Sequence, residues 1–466
     1  MNIVLVNPEY RGLRPERRQE SLGLGYLAAV ARRAGHNAEI VDIWLHGEAS
    51  LRQVVKRRRV DLVGVSILSQ GRLRPAMALV SRLRRDGYTG FIVIGGHPPT
   101  FLHREVCRDF VGFDAIAIGE AEDTFVDLLA ALSARRDWTG LPGLVPARPG
   151  PASETPAAPA VSAAGRQPRP LIADLDSLPF PARDTLPAFL ARGRGPRTAS
   201  VLRSRGCYGS CSFCDTRAFY ALSPGPAWRV RSAVGVADEV EELVRDYRVE
   251  FIRFWDDNFI GPGERGLTEA EALAREFRRR RMRVEFGLEC RVTDIEPSLF
   301  GLLKEAGLTE VFVGVEAVTQ RQLDSLNKRV TVEDNLRALA TLENLGLEAT
   351  IGMITFAPDT TLEEFRVNLE FMNRRLGAWG ALRTRVAEPW NRLAAYAGTP
   401  VEATLRAQGR LRGDYTSYEY DFSDRVLGRL YVWGRLARRL VPEWVRAALS
   451  RGRSRPARQT RRSTAE

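Results

Sequence analysis

Short apolar runs alternate with amphipathic stretches along the first third of the chain. Runs at residues 3–6, 38–41, 62–66, 91–94 and 115–118 read as buried parallel strands, and residues 22–34 and 75–85 carry helical spacing. That rhythm predicts a doubly wound, Rossmann-like α/β domain over residues 1–142. Asn7-Pro8, Gly95-Gly96 and Gly119 follow strand ends, where such a sheet binds its ligands. Residues 143–170 are rich in Pro, Ala and Gly without a period, and 143–197 is expected to be a linker. A second series begins near residue 198, with strands expected at 200–204, 251–255, 283–288, 310–315, 348–354 and 382–387 and helices such as 237–245 and 336–345 between them. Six βα units over 198–395 suit a partial (β/α)6 barrel, whose chemistry sits at the carboxyl ends of the strands. Residues 396–447 read as a small, mostly helical cap with aromatics at Tyr415, Tyr418 and Tyr420, and 448–466 as a disordered basic tail.

Composition narrows the class. Hydrophobic residues make up 44 % and charged residues 27 % of 466 positions, which is globular rather than disordered. The net charge of +12 is carried almost entirely by Arg; the lysines are Lys56, Lys304 and Lys328. Acidic residues are interspersed and the densest basic run lies in the tail, so a solvated Arg-rich surface is favoured over nucleic-acid binding. Apolar stretches are broken by charges well before ~18 residues, so no membrane span is expected. Met1-Asn-Ile-Val-Leu-Val enters a strand directly, without a leader pattern, and the expected compartment is the reducing cytoplasm. There metal ligation suits five Cys, three of them crowded into eight positions, better than disulfides do.

The crowded segment is Arg205-Gly-Cys207-Tyr-Gly-Ser-Cys211-Ser-Phe-Cys214, directly after the first strand of the second series. Three thiolates in one tight loop can hold three irons of a cubane and leave the fourth open. Zinc would want a fourth ligand nearby, and His36, His46, His97 and His103 all lie in the first domain. Cys-x3-Cys-x2-Cys in this context, with Phe213 before the last Cys, resembles the radical S-adenosylmethionine (SAM) superfamily. The resemblance implies a [4Fe-4S] cluster on Cys207, Cys211 and Cys214. SAM would be chelated at the open iron and cleaved to a 5′-deoxyadenosyl radical by an electron from flavodoxin or ferredoxin. It also implies cofactor contacts from Arg291 after the third strand, Glu316 in Gly314-Val-Glu316, and Gly352 in Gly352-Met-Ile-Thr-Phe-Ala-Pro358.

Asn7-Pro8, Leu22-Gly-Leu-Gly, Gly95-Gly96-His97-Pro and Gly119-Glu120 resemble the cobalamin-binding domain that precedes many radical SAM barrels, with Gly95 and Gly96 allowing close approach of a large ligand. An Asp-x-His-x-x-Gly segment is missing, so no histidine ligand to cobalt is assigned and cobalamin binding stays open. His97 reads as structural or as near the nucleotide tail.

Carboxylates crowd the expected strand ends: Asp256, Asp257, Glu289, Glu316 and Glu388, with Asn258 and Asn391 beside them. In a basic chain this suggests an acidic pocket for a cationic small molecule such as an amino sugar. No His lies in the barrel, so proton transfer falls to groups such as Tyr220, Glu289, Cys290 and Glu388. The compact length and short cap resemble radical SAM diol dehydratases of aminoglycoside pathways. That resemblance implies dehydration of an amino-sugar 1,2-diol in antibiotic biosynthesis, a lyase reaction. Cobalamin-dependent C-methylation is the alternative, and an RNA-binding role is disfavoured because no basic stripe is interleaved with aromatics.

Overall fold

A computed structural model describes residues 1–8, 19–57, 59–147, 167–193, 195–377, 384–386 and 390–440. The first domain holds strands β1 (Asn2–Asn7), β2 (Asn37–Asp42), β3 (Leu62–Ser66), β4 (Phe91–Gly95), β5 (Ala115–Ala117) and β6 (Leu144–Pro146). Between them run α1 (Leu22–Arg33), α2 (Ile43–Arg57), α3 (Leu73–Arg85), α4 (His97–Phe101), α5 (His103–Asp109) and α6 (Glu122–Ser133). The sheet order is β2-β1-β3-β4-β5-β6, parallel except at β6. Helices cover both faces, which is why its strands read as unbroken apolar runs. In β1, Ile3 and Leu5 enter one core while Val4 and Val6 enter the other. Gly64 in β3 is needed because a Cβ there would lie 2.7 Å from the Leu5 side chain.

The doubly wound expectation holds, with one extension. β6 lies just past residue 142, in the stretch read as linker, and pairs antiparallel with β5. Three apolar residues ending in Pro carry too little periodicity to mark an edge strand. Further along, α7 (Leu186–Arg192) places Leu186 in the core of the second unit and stacks Phe189 on Trp44 of the first domain.

The second unit has β7 (Thr198–Val201), β8 (Ser204–Gly206), β9 (Trp228–Val230), β10 (Phe251–Phe254), β11 (Glu285–Arg291), β12 (Leu308–Glu316), β13 (Glu348–Met353) and β14 (Thr384–Val386). Its helices are α8 (Asp215–Tyr220), α9 (Ala233–Tyr247), α10 (Gly263–Arg279), α11 (Pro297–Glu305), α12 (Gln320–Ser325), α13 (Val332–Asn344) and α14 (Leu362–Gly377). Six parallel strands run in sequential order, β7-β10-β11-β12-β13-β14, as expected of the partial barrel. Helix starts are set locally: Thr331 and Asp334 form a reciprocal capping box on α13, and the Ser232 hydroxyl accepts from Gly235 N–H on α9. The single expected strand at 200–204 splits into β7 and β8, and β8 turns aside to pair antiparallel with β9. A final segment of α15 (Pro400–Ala407), the short pair β15 (Leu411–Arg412) and β16 (Glu419–Tyr420), and α16 (Arg425–Leu440) completes the described chain. Tyr420 donates to the Phe356 carbonyl at 3.0 Å, while Tyr415 and Tyr418 pack on the first domain's core. The cap thus bridges both units.

Buried ion pairs also join the units. Arg205, in β8, meets Glu120 in the turn after β5 at 3.1 Å and Glu122 at the start of α6 at 2.6 Å, and Arg229 meets Glu120 at 2.8 Å. Arg183 pairs with Glu20 and, at 2.6 Å, with Glu239 on α9.

Candidate functional site

β8 ends in Gly206, whose φ of +86° sends the chain into the cysteine loop. A Cβ on Gly206 would sit 2.0 Å from the Ala227 carbonyl, so this turn requires glycine. The loop carries Cys207 and Cys211 and delivers Cys214 to the start of α8. Gly209 N–H donates to Cys207 Sγ at 3.3 Å, and Arg291 Nη1 donates to Cys211 Sγ at 3.2 Å. Gly209 makes that approach possible, since its Cβ would lie 2.7 Å from Arg291 Nη1. Burial pushes the Cys207 thiol up to about 11, opposed by Gly209 N–H and Arg291, and it raises Cys214 as well. Thiols so buried ionise when iron supplies the compensating charge, and the two donors aimed at sulfur favour the ionised form. Donor set and surroundings therefore fit a cluster.

Alternation along β11 sorts its three candidates. Glu289 and Arg291 face the barrel interior, whereas Cys290 packs in the hydrophobic core with Leu288. Cys290 is thereby removed from the candidate site. Arg291 is buried; besides Cys211 it donates to the Lys328 carbonyl, and its Nε has no hydrogen-bond partner among the described residues. Glu316 ends β12 at φ +66°, beside a register shift against β13. It pairs with buried Lys328, Nζ to Oε1 at 2.9 Å. Gly314 leaves room beneath this pair, since a Cβ there would lie 2.4 Å from Glu316 Oε1 and 2.8 Å from Lys328 Nζ and would displace one of them. Gly352 abuts the Phe312 ring, 3.0 Å from where its Cβ would be. Phe213 packs with Leu326, Ile354, Ala357 and Leu393 and walls the loop.

The acidic mouth is smaller than the sequence suggests. Asp256 accepts from Ser204 Oγ at 2.5 Å and from Ser204 N–H, and burial pushes it up to about 6. Asp257 accepts from Gly206 N–H at 3.1 Å and Thr216 Oγ1 at 3.0 Å. Asn258 is held by Asp294 and Gly261, Asn391 by the Met353 carbonyl, and Glu316 by Lys328. Strand-end position showed where these groups lie but not that the backbone and its neighbours already use them. Glu289 alone of the group makes no side-chain hydrogen bond or ion pair among the described residues. Burial holds it up to about 7, Arg253 opposing and Asp257 and Asp256 adding. Glu388 lies outside the described residues.

A cavity of about 610 Å³ opens where the carboxyl ends of the first sheet face the cysteine-bearing segment. Gly64, Gly95, Gly96 and Gly119 line it from the sheet side, and Tyr220, Trp255 and Asp257 from the barrel side. Gly96 sits at φ +115°, with Ile67 O 2.2 Å from where a Cβ would be. The mostly apolar wall, the size and the close backbone suit a large organic ligand such as a corrin. Tyr220 is half-buried in the wall of this cavity, and desolvation raises its hydroxyl well above the ordinary range. His97 joins the two sides: its Nδ1 lies 3.0 Å from Asp215 Oδ2, and its ring stacks on Phe219 at 4.0 Å.

Sequence reasoning missed Lys328, the Arg205–Glu120–Arg229 cluster and the His97–Asp215 contact. Lys328 carried one usable signal, as one of three lysines in a chain that otherwise uses Arg. The other contacts join residues far apart in the chain and left no local pattern.

Two family models match the chain: the B12 binding domain over residues 14–129 and the radical SAM superfamily over 201–372. An uncharacterised methyltransferase of Pyrococcus horikoshii is 28 % identical over 378 residues, covering 81 % of this chain and 78 % of the relative. The hopanoid C-3 methylase of Methylococcus capsulatus is 29 % identical over 75 % of this chain, which spans 63 % of that protein. Among solved structures, the cobalamin-dependent SAM radical enzyme OxsB with aqua-cobalamin and SAM bound superposes with a TM-score of 0.76 at 19 % identity, covering 92 % of this chain and 65 % of its own. The methyltransferase TsrM from Kitasatospora setae, with tryptophan and a SAM analogue, gives 0.66 at 21 % identity, covering 87 % of this chain and 76 % of its own. The chain thus joins an N-terminal B12-binding domain to a radical SAM domain.

Proposed function

We propose that this chain is a cobalamin-dependent radical SAM methyltransferase acting at a carbon of a small molecule. The cavity carries the reading: glycine-bordered turns of the first sheet and the segment following the cluster cysteines line one space. A ligand held by the first domain therefore lies against the barrel's reactive end. Two relatives bear the names methyltransferase and methylase, which supports transfer over dehydration. The amino-sugar diol reading drew on an acidic mouth, and most of those carboxylates and amides are engaged within the protein.

When bound, the cluster with SAM would supply hydrogen-abstracting radical chemistry and cobalamin would supply a transferable methyl group. Cys207, Cys211 and Cys214 would hold the cluster, with Arg291 donating to the Cys211 sulfur. The Glu316–Lys328 pair and Gly314 shape the end of β12 beside the cofactor, and the first-sheet glycines let a corrin approach the backbone. Glu289, without a side-chain partner among the described residues, is the group placed to hold or release a proton near neutral pH. The test is anaerobic reconstitution with iron, sulfide and hydroxocobalamin, followed by turnover with methyl-deuterated SAM and a low-potential one-electron reductant such as reduced flavodoxin. Methyl transfer yields S-adenosylhomocysteine beside 5′-deoxyadenosine and a labelled product. 5′-Deoxyadenosine with a dehydrated product, and no S-adenosylhomocysteine, would return the assignment to dehydration.

A further inference from the structure

Helix α16 has two unlike sides. Leu427, with Leu430 and Tyr431, packs into the aromatic cluster of Phe356, Phe365 and Phe422. Gly434 presses on Trp390, whose ring lies 2.2 Å from where a Cβ would be. The opposite side is open: Val426 is 57 % exposed, Val432 52 %, Trp433 71 % and Leu436 45 %. Val426, Trp433 and Leu436 stand seven and three residues apart, so they form one apolar stripe, with Val432 at its edge. The helix contains five Arg and no acidic residue, and Arg425 and Arg429 are exposed on the same side as the stripe.

We infer that this face of α16 is an interfacial surface that docks the enzyme onto an anionic lipid bilayer. An exposed Trp, Val and Leu stripe bordered by Arg is the pattern of a helix lying in the headgroup layer, its apolar side chains inserted and its guanidinium groups at lipid phosphates. The charge continues along the chain, since residues 441–466 contain seven Arg and two Glu. The stripe distinguishes this face from a nucleic-acid surface, where aromatics stack on bases and aliphatic residues add little. No helix among the described residues is long and apolar enough to cross a membrane, so the contact is peripheral. The inference is independent of the proposed methyl transfer and does not use the cavity.

The experiment is co-sedimentation of the full-length protein with phosphatidylcholine vesicles containing about a quarter phosphatidylglycerol, against phosphatidylcholine alone. Binding to the anionic vesicles only, weakened at about 0.5 M salt, is expected. Trp433→Glu and Val426→Glu replace exposed side chains and leave the packed side untouched. Each should keep the thermal midpoint and lower vesicle affinity by about tenfold or more. No association with anionic vesicles, or association unchanged in both variants, overturns the proposal. So does a lipid-free dimer that both variants abolish, which would assign the stripe to a second copy. Tight, salt-sensitive RNA binding that both variants weaken, without vesicle binding, would assign it to nucleic acid.

Discussion

Arg291 joins the cysteine loop to the far side of the barrel mouth: its Nη1 lies 3.2 Å from Cys211 Sγ while its Nη2 donates to the Lys328 carbonyl. Lys328 in turn holds Glu316 through its ammonium group. One line of contacts therefore runs from the cluster loop through β11 and the turn after α12 to the end of β12. Both glycines along it, Gly209 and Gly314, are positions where a side chain would collide with these charged groups. Small residues and ions are thus selected together.

Removing Lys328 should be costly because it leaves Glu316 buried without a counter-charge. Lys328→Met is expected to destabilise the protein by roughly 3–5 kcal/mol, and adding Glu316→Gln should recover much of that loss. Urea denaturation of the wild type, both single variants and the double variant measures the coupling. Additive losses would mean that the pair does not act as a unit.

If these three thiolates hold the cubane, Cys207→Ser, Cys211→Ser and Cys214→Ser should each lose stoichiometric iron and sulfide after anaerobic reconstitution. Cys290→Ala is the contrasting case. It opens a small core cavity, costing on the order of 1 kcal/mol, and should retain the cluster. Loss of iron in Cys290→Ala with an unchanged thermal midpoint would place that thiol at the cluster after all.

Much of the fold was legible because both sheets are parallel and covered, so each strand is a short apolar run and each helix shows its face. The cysteine loop was legible for a different reason, as one contiguous segment. What escaped was partnership. Asp256 and Glu289 look alike in sequence, yet Ser204 holds the first and nothing described holds the second. Cys290 and Arg291 are neighbours in the chain, but strand alternation sends one into the core and the other to the cluster loop. β8 turns aside where the Asp256 carboxylate, rather than a neighbouring barrel strand, takes the Ser204 N–H, a side-chain demand that no apolar pattern records.

Gly96 makes a sharper claim about the first domain. Its φ of +115° is one that L side chains rarely adopt, and a Cβ would fall 2.2 Å from Ile67 O. Gly96→Ala should force the turn after β4 away from the loop after β3, with a cost of several kcal/mol, on the order of 3. The cysteine loop lies elsewhere, so reconstituted iron should be unchanged. Cobalamin retention on a desalting column, followed by absorbance, should fall together with the thermal midpoint. A variant with wild-type stability and wild-type cobalamin retention would contradict the assignment of this turn.

The pH dependence of stability isolates Glu289. Its carboxyl is pushed up to about 7 by burial, against an ordinary value of 4.5. Below about pH 4.5 both folded and unfolded states carry the proton, and the group adds no difference. As the pH rises toward 7, the unfolded chain releases the proton while the folded protein keeps it. The unfolded state then binds fewer protons, so this group makes stability fall as pH rises. Above about pH 7 both states are ionised and the penalty levels off near 3 kcal/mol, an order-of-magnitude figure. Glu289→Gln preserves the shape and removes the titration. Asp256 and Asp257, also raised, are present in both proteins, so only their coupling to Glu289 enters the comparison. The Gln variant should therefore gain stability relative to wild type as the pH goes from about 5 to about 8, a widening difference in Tm of several degrees. If the difference stays constant or narrows over that range, the carboxylate is ionised and stabilised in the folded protein, and Glu289 is not the neutral-pH proton carrier proposed for the barrel.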